Sequence, residues 1–168
     1  MTTSSDLLSV ERFVAAPPEA VFELLVDPAR HVDIDGGESV RRARSGGRRL
    51  GLGDRFGMDM HLGRAYTTLN TVVEFEEGRR IAWQTTATGL LSKVLGGRIW
   101  RYVLEPAPGG TLVTETWDLR SEAAPSKPVV KATMTELTRR NMERTLRRID
   151  ELLAGGARSG DAQGPDAS

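Results

Sequence analysis

Residues 55–86 read RFGMDMHLGRAYTTLNTVVEFEEGRRIAWQTT, and their alternation decides the class of fold. Phe56, Met58, Met60 and Leu62 alternate with Arg55, Gly57, Asp59 and His61, the period of two expected of a half-buried strand. Gly63-Arg64 predicts a tight turn, and the run AYTTLNTVVEF that follows is long, β-branched and strand-forming. Glu77-Gly78 predicts a second hairpin turn, with Arg80–Thr86 as the returning strand. If each turn holds two residues, Phe56 falls opposite Thr71, Met58 opposite Leu69, Met60 opposite Thr67, Val73 opposite Ala82 and Thr71 opposite Gln84. One face then carries Phe56, Met58, Met60, Leu69, Val73 and Phe75. The other carries Asp59, His61, Tyr66, Thr68, Asn70 and Trp83. The first face is read as the interior, and a single bulge would exchange the two.

Downstream, Arg98–Glu105 and Thr111–Leu119 predict another hairpin around PAPGG. Its register sets Arg101 opposite Glu115, an opposite-charge pair suited to a solvated face, which turns Trp100, Tyr102, Leu104, Leu112, Thr114 and Thr116 inward. Pro125 and Pro128 precede a helix expected over 129–153. Its apolar stripe is Val130, Met134, Leu137, Asn141, Thr145, Ile149 and Leu153, while Glu136/Arg140, Glu143/Arg147 and Arg147/Glu151 pair on the wet side. Upstream, Leu7–Val14 reads as a first strand. Prolines 17 and 18 suit the first turn of a helix that continues through EAVFELLVD. Asp27-Pro28 caps a second, very short helix, which Gly36-Gly37 breaks.

The chain has 168 residues, 39% hydrophobic and 27% charged, with 23 basic and 23 acidic side chains. That length supports one domain with a core of its own. The absence of cysteine excludes disulfides, thiolate metal sites and thiol catalysis, and two histidines leave little for a metal centre. No cofactor and no metal are expected. Balanced charge argues against nucleic acid, and no apolar stretch approaches the ~20 residues of a membrane span. The polar N-terminus lacks a signal peptide's basic and apolar regions, which predicts a cytoplasmic protein. Residues 1–6 are expected to be flexible, 7–154 to form the domain, and 155–168, all small or polar, to be a disordered tail.

The order is strand, two small helices, a run of about six antiparallel strands, then one long helix. That order, with the phrases AAPPEAVFELLVDPARH, GLGDRFGM, NTVVEFEEGRRIAW and RYVLEPAPGGTLVTETWD, resembles the SRPBCC superfamily of START-like and pollen-allergen-like proteins, in its polyketide cyclase/dehydrase-like branch. The resemblance implies an α+β helix-grip fold: a curved antiparallel β-sheet wrapped around the C-terminal helix, with a cavity between them for a hydrophobic ligand.

With that fold, Phe56, Met58, Met60, Leu69, Trp100, Tyr102, Met134 and Leu137 are expected to line the pocket. Thr114, Thr116 and Asn141 would add polar handles. The expected partner is a small hydrophobic molecule such as a lipid, polyketide or aromatic metabolite, carried or sequestered. The alternative is a polyketide cyclase, aromatase or dehydratase in the same cavity, with His31, Tyr66, Tyr102 and Asn141 as candidates for proton handling. His31 is expected at the cavity mouth, with Asp33 or Asp35 to orient it, and His61 at the surface. The stretch GLLSKVLGG at 89–97 carries Leu90, Leu91, Val94 and Leu95 as an expected lid, or as the docking patch of an interaction module. GLGDRFG at 51–57 lacks the third glycine and the following helix of a dinucleotide loop. Arg41, Arg42, Arg44, Arg48 and Arg49 have no interleaved aromatics for stacking bases and read as a solvated loop.

Overall fold

The computed structural model describes residues 6–44, 47–89 and 96–160. β1 (Leu7–Val14) leads to α1 (Pro18–Val26), a 3-10 turn (Pro28–Arg30) and α2 (His31–Ile34). Six strands follow: β2 (Val40–Ala43), β3 (Arg55–Leu62), β4 (Arg64–Glu76), β5 (Arg80–Ala87), β6 (Gly96–Ala107) and β7 (Gly110–Asp118). α3 (Lys127–Gly160) closes the order. The strands form one antiparallel sheet in the order β1-β7-β6-β5-β4-β3-β2. This is the helix-grip architecture that the sequence resemblance implies.

Local chemistry sets the small helices. Pro18 occupies the first turn of α1, where no intrahelical acceptor exists for its missing N–H. Val21, Phe22, Leu24, Leu25 and Val26 are its buried residues. The Asp27 carboxylate accepts from the Ala29 N–H at 2.9 Å, capping the 3-10 turn as its position before Pro28 predicts. The chain then passes under α3. Gly36 donates its N–H to Thr145 Oγ1 at 3.0 Å, and a Cβ at Gly36 would lie 2.2 Å from the Asn141 carbonyl oxygen. Only a glycine permits that approach.

Three registers differ from expectation by one residue, those of β3–β4, β4–β5 and β6–β7. β3 and β4 turn around Gly63 alone, at φ +73°, a conformation that glycine adopts without strain. Phe56 therefore lies opposite Asn70, Met58 opposite Thr68 and Met60 opposite Tyr66. Leu69, expected inside, takes the opposite parity to these residues. Between β4 and β5 the expected Thr71–Gln84 pair forms, but a bulge between Val72 and Glu74 puts Glu74, not Val73, opposite Ala82. Val73 is 39% exposed while Trp83, expected on the wet face, is buried. Phe75 stays inward, its ring edge-on to Phe22 at 5.5 Å.

The β6–β7 hairpin turns on Pro108-Gly109, which pairs Arg101 with Thr116 and Tyr102 with Glu115. Trp100, Tyr102 and Leu104 point inward as expected, but along β7 the parity is reversed: Thr111, Val113, Glu115 and Trp117 are buried. Thr114 and Thr116 face outward, where Thr114 donates to Glu11 at 3.3 Å and Thr116 Oγ1 lies 2.9 Å from Ser9 Oγ. The ionic partners of Arg101 are Glu74, at 2.6 Å, and Asp118, at 3.4 Å.

α3 begins two residues earlier than expected and continues to Gly160, so residues 155–160 extend the helix rather than opening a tail. Residues 161–168 and 1–5, the remainder of the expected flexible ends, lie outside the described residues. The buried stripe of α3 runs Val130, Thr138, Met142, Thr145, Leu146 and Ile149, rotated slightly from the expected one. Arg12 of β1 holds Asp150 at 3.0 Å and pins the helix to the sheet edge. Among the described residues no helix is long and apolar enough to cross a membrane.

Candidate functional site

A cavity of about 660 Å³ lies between the inner sheet face and α3. Phe56, Met58, Met60, Trp83, Trp100 and Tyr102 supply its sheet wall, and Met134, Leu137, Thr138, Asn141 and Met142 its helix wall. Tyr66 and Leu137 are about half exposed, at 41% and 45%, and mark the mouth. Tyr102 and Glu115 are almost fully enclosed and form the floor.

Eight of the residues expected in the pocket line this cavity: Phe56, Met58, Met60, Trp100, Tyr102, Met134, Leu137 and Asn141. Leu69, Thr114 and Thr116 do not, because the one-residue slips place them on the other face. The expected lid residues Leu90, Leu91, Val94 and Leu95 lie outside the described residues. His61 is exposed, as expected.

His31 is not at the mouth. It is buried in the wall, stacked on Trp83 with ring centroids 5.0 Å apart and edge-on to Phe56 at 5.5 Å. A carbonyl oxygen only accepts, so the 2.9 Å contact to the Leu25 carbonyl puts the proton on Nε2. Burial holds its pKa below the ordinary histidine value, outweighing the Leu25 bond and the more distant Asp27 and Asp35. Neither expected partner orients it. Asp33 is paired with Arg30 at 2.8 Å, and Asp35 accepts from the N–H groups of Gly37, Ser39 and Val40.

The floor holds a group that sequence reasoning placed on the surface. Tyr102 donates to Glu115 Oε1 at 2.8 Å, and Glu115 Oε2 has no hydrogen-bond partner among the described residues. Burial pushes the Glu115 carboxyl up to about 8, against the bond from Tyr102 and with a further push from the charge of Asp35. Burial, with the neighbouring carboxyl, also lifts the Tyr102 phenol well above its ordinary range. Glu115 is therefore a neutral acid near pH 7, a state that buried carboxyl groups reach when no cation accompanies them. A signal for it existed in the sequence, since Val113 and Trp117 share its strand parity. Asn70 and Thr85 were also missed as inner-face residues. Thr85 donates to Asn70 Oδ1 at 2.6 Å inside the wall.

The rim is tied down by Glu122, whose carboxylate is fully enclosed. It accepts from the Gly96 N–H at 3.1 Å, from Ser126 Oγ at 2.7 Å, and from Arg98 at 3.1 Å. Arg98 itself faces the cavity but is committed to that pair.

A cavity enclosed by a curved sheet and a long helix, with apolar walls and a few placed polar groups, defines a helix-grip protein built to hold a hydrophobic ligand. Residues 7–154 match the family described as polyketide cyclase / dehydrase and lipid transport. The chain belongs to that family, within the SRPBCC superfamily. It is 30% identical over 148 residues to the Mycobacterium tuberculosis H37Rv protein Rv0088, covering 85% of this chain but 62% of that protein. Among solved structures, protein CV1439 of Chromobacterium violaceum superposes with a TM-score of 0.68 at 16% identity, covering 88% of this chain and 96% of its own. Ms6760 of Mycobacterium smegmatis gives 0.67 at 18% identity, covering 90% and 93%. These structures share the fold.

Proposed function

We propose that the protein binds a small hydrophobic molecule, such as a lipid, polyketide or aromatic metabolite, and carries or sequesters it. The observation that supports this reading is the cavity of about 660 Å³ walled by methionine and aromatic side chains. Pockets for small molecules have this size and character, and methionine adapts to varied shapes. Native mass spectrometry of gently purified protein is expected to show a bound small molecule. Added ligands are expected to change the fluorescence of Trp83 and Trp100, which line the wall. Ligand-free protein whose fluorescence stays constant across a panel of lipids and polyphenols would sink the reading.

A second reading is a cyclase-, aromatase- or dehydratase-type reaction in the same cavity. It draws on the Tyr102–Glu115 hydrogen bond, which places a proton-carrying pair at the floor. Such a chamber would act largely by holding a flexible chain in one reactive geometry. The family's description covers both catalysis and transport, so fold alone does not choose. Tyr102→Phe with a poly-β-ketone substrate tests it: an altered product distribution supports catalysis, and an unchanged one removes Tyr102 from it.

A further inference from the structure

The floor of the cavity selects for one kind of ligand end, and this deepens the hydrophobic-ligand reading on which it rests. We propose that the ligand carries a neutral carbonyl oxygen at its buried end, and that the Glu115 carboxyl donates a hydrogen bond to that oxygen through Oε2. Glu115 is 2% exposed, lines the cavity, and leaves Oε2 without a partner among the described residues. Its other oxygen is occupied by the Tyr102 hydroxyl at 2.8 Å, which fixes the plane of the carboxyl. A buried polar atom without a partner is costly, so a ligand that satisfies it gains over one that does not.

The neighbouring groups decide which ligand atom fits. Among the described residues, the other ionisable side chains lining the cavity are His31, Asp35, Tyr66 and Arg98, besides Tyr102 itself. His31 is neutral by burial, Arg98 is paired with Glu122, and Asp35 adds negative charge that favours the protonated carboxyl. α3 offers the cavity only apolar, hydroxyl and amide side chains. Among the described residues no unpaired cation therefore stabilises a Glu115 anion. The uncharged carboxyl is a donor facing an apolar space, which suits a ketone, ester or amide oxygen. A ligand carboxylate would arrive unpaired beside Asp35, and a ligand ammonium would have to displace the Glu115 proton first.

Four naphthalenes of similar shape test this: 2-acetylnaphthalene, 2-isopropenylnaphthalene, 2-naphthoate and 1-(2-naphthyl)ethylamine, titrated calorimetrically against the wild type and Glu115→Gln. The ketone is expected to bind roughly tenfold more tightly than the hydrocarbon at about pH 6.5, and to lose that preference at about pH 9.5, where Glu115 is ionised. Glu115→Gln keeps a donor and is expected to keep the preference at both pH values. Equal affinity for ketone and hydrocarbon in the wild type would overturn the carbonyl assignment and leave the cavity reading standing. Tightest binding of the amine or the naphthoate would overturn it too, as would loss of the ketone preference in Glu115→Gln. Binding of none of the four would overturn both.

Discussion

The imidazole of His31 lies stacked on the indole of Trp83, with the two planes 23° from parallel and the centroids 5.0 Å apart. The stack is part of the cavity wall, and burial there favours the uncharged histidine. With its folded pKa lowered, His31 leaves stability intact above the unfolded value near 6.5. Stability is lost as pH falls from there toward the folded pKa. His31→Phe is expected to flatten this acid limb in a thermal melt series. It should also cost about 1–2 kcal/mol at neutral pH, by leaving the Leu25 carbonyl without its donor.

Glu115 titrates with the opposite sign. Its folded value of about 8 lies above that of the unfolded chain, so its contribution is full in acid and lost as pH rises toward 8. Glu115→Gln keeps the shape and the Tyr102 bond while removing the ionisation. It is expected to match the wild type near pH 4 and to exceed it by on the order of 3 kcal/mol at pH 8 in urea denaturation. A variant less stable than the wild type at pH 8 would contradict the enclosed setting of this carboxyl.

Arg98→Met strands the enclosed Glu122 carboxylate. The expected loss is about 3 kcal/mol, and Arg98→Met combined with Glu122→Gln should recover much of it. Chemical denaturation of the two variants at neutral pH measures both numbers. Equal stability of the single and double variants would mean that the pair is not coupled.

Gly36→Ala brings a methyl group against the α3 backbone at Asn141 and Thr145. Overpacking of this kind costs about 1–3 kcal/mol, and the backbone of a helix gives less than a side chain does. A lowered melting temperature is expected, together with a changed ligand affinity, because Asn141 lines the cavity at that point. An unshifted melting temperature would show that the loop can move off the helix.

Most of the fold was legible because it rests on long periodic signals. β1, the capped 3-10 turn and the amphipathic α3 all follow from local patterning and proline position. The cavity was legible only in part, since its composition depends on strand parity, and parity depends on turn lengths that differ by one residue. A single-residue turn at Gly63 exchanged Leu69 for Thr68 and Asn70 on the inner face. The Pro108-Gly109 turn exchanged Thr114 and Thr116 for Glu115. β6 was read correctly because Trp100, Tyr102 and Leu104 are unambiguous in bulk, whereas β7 mixes threonines and charges on both parities. His31 was recognised as a candidate, but its burial comes from Phe56 and Trp83, which are distant in sequence.

The hairpin at Gly63 makes the inner lining a matter of arithmetic as well as chemistry. One residue more in that turn would rotate a whole strand about its axis, retiring Tyr66, Thr68 and Asn70 and presenting Leu69 and Thr71 in their place. Ligand preference in this scaffold can thus change in a jump, by an insertion or deletion in a solvent-exposed loop, with no substitution at any wall position. The length of this turn decides the lining of the interior as much as the residues along the strands do.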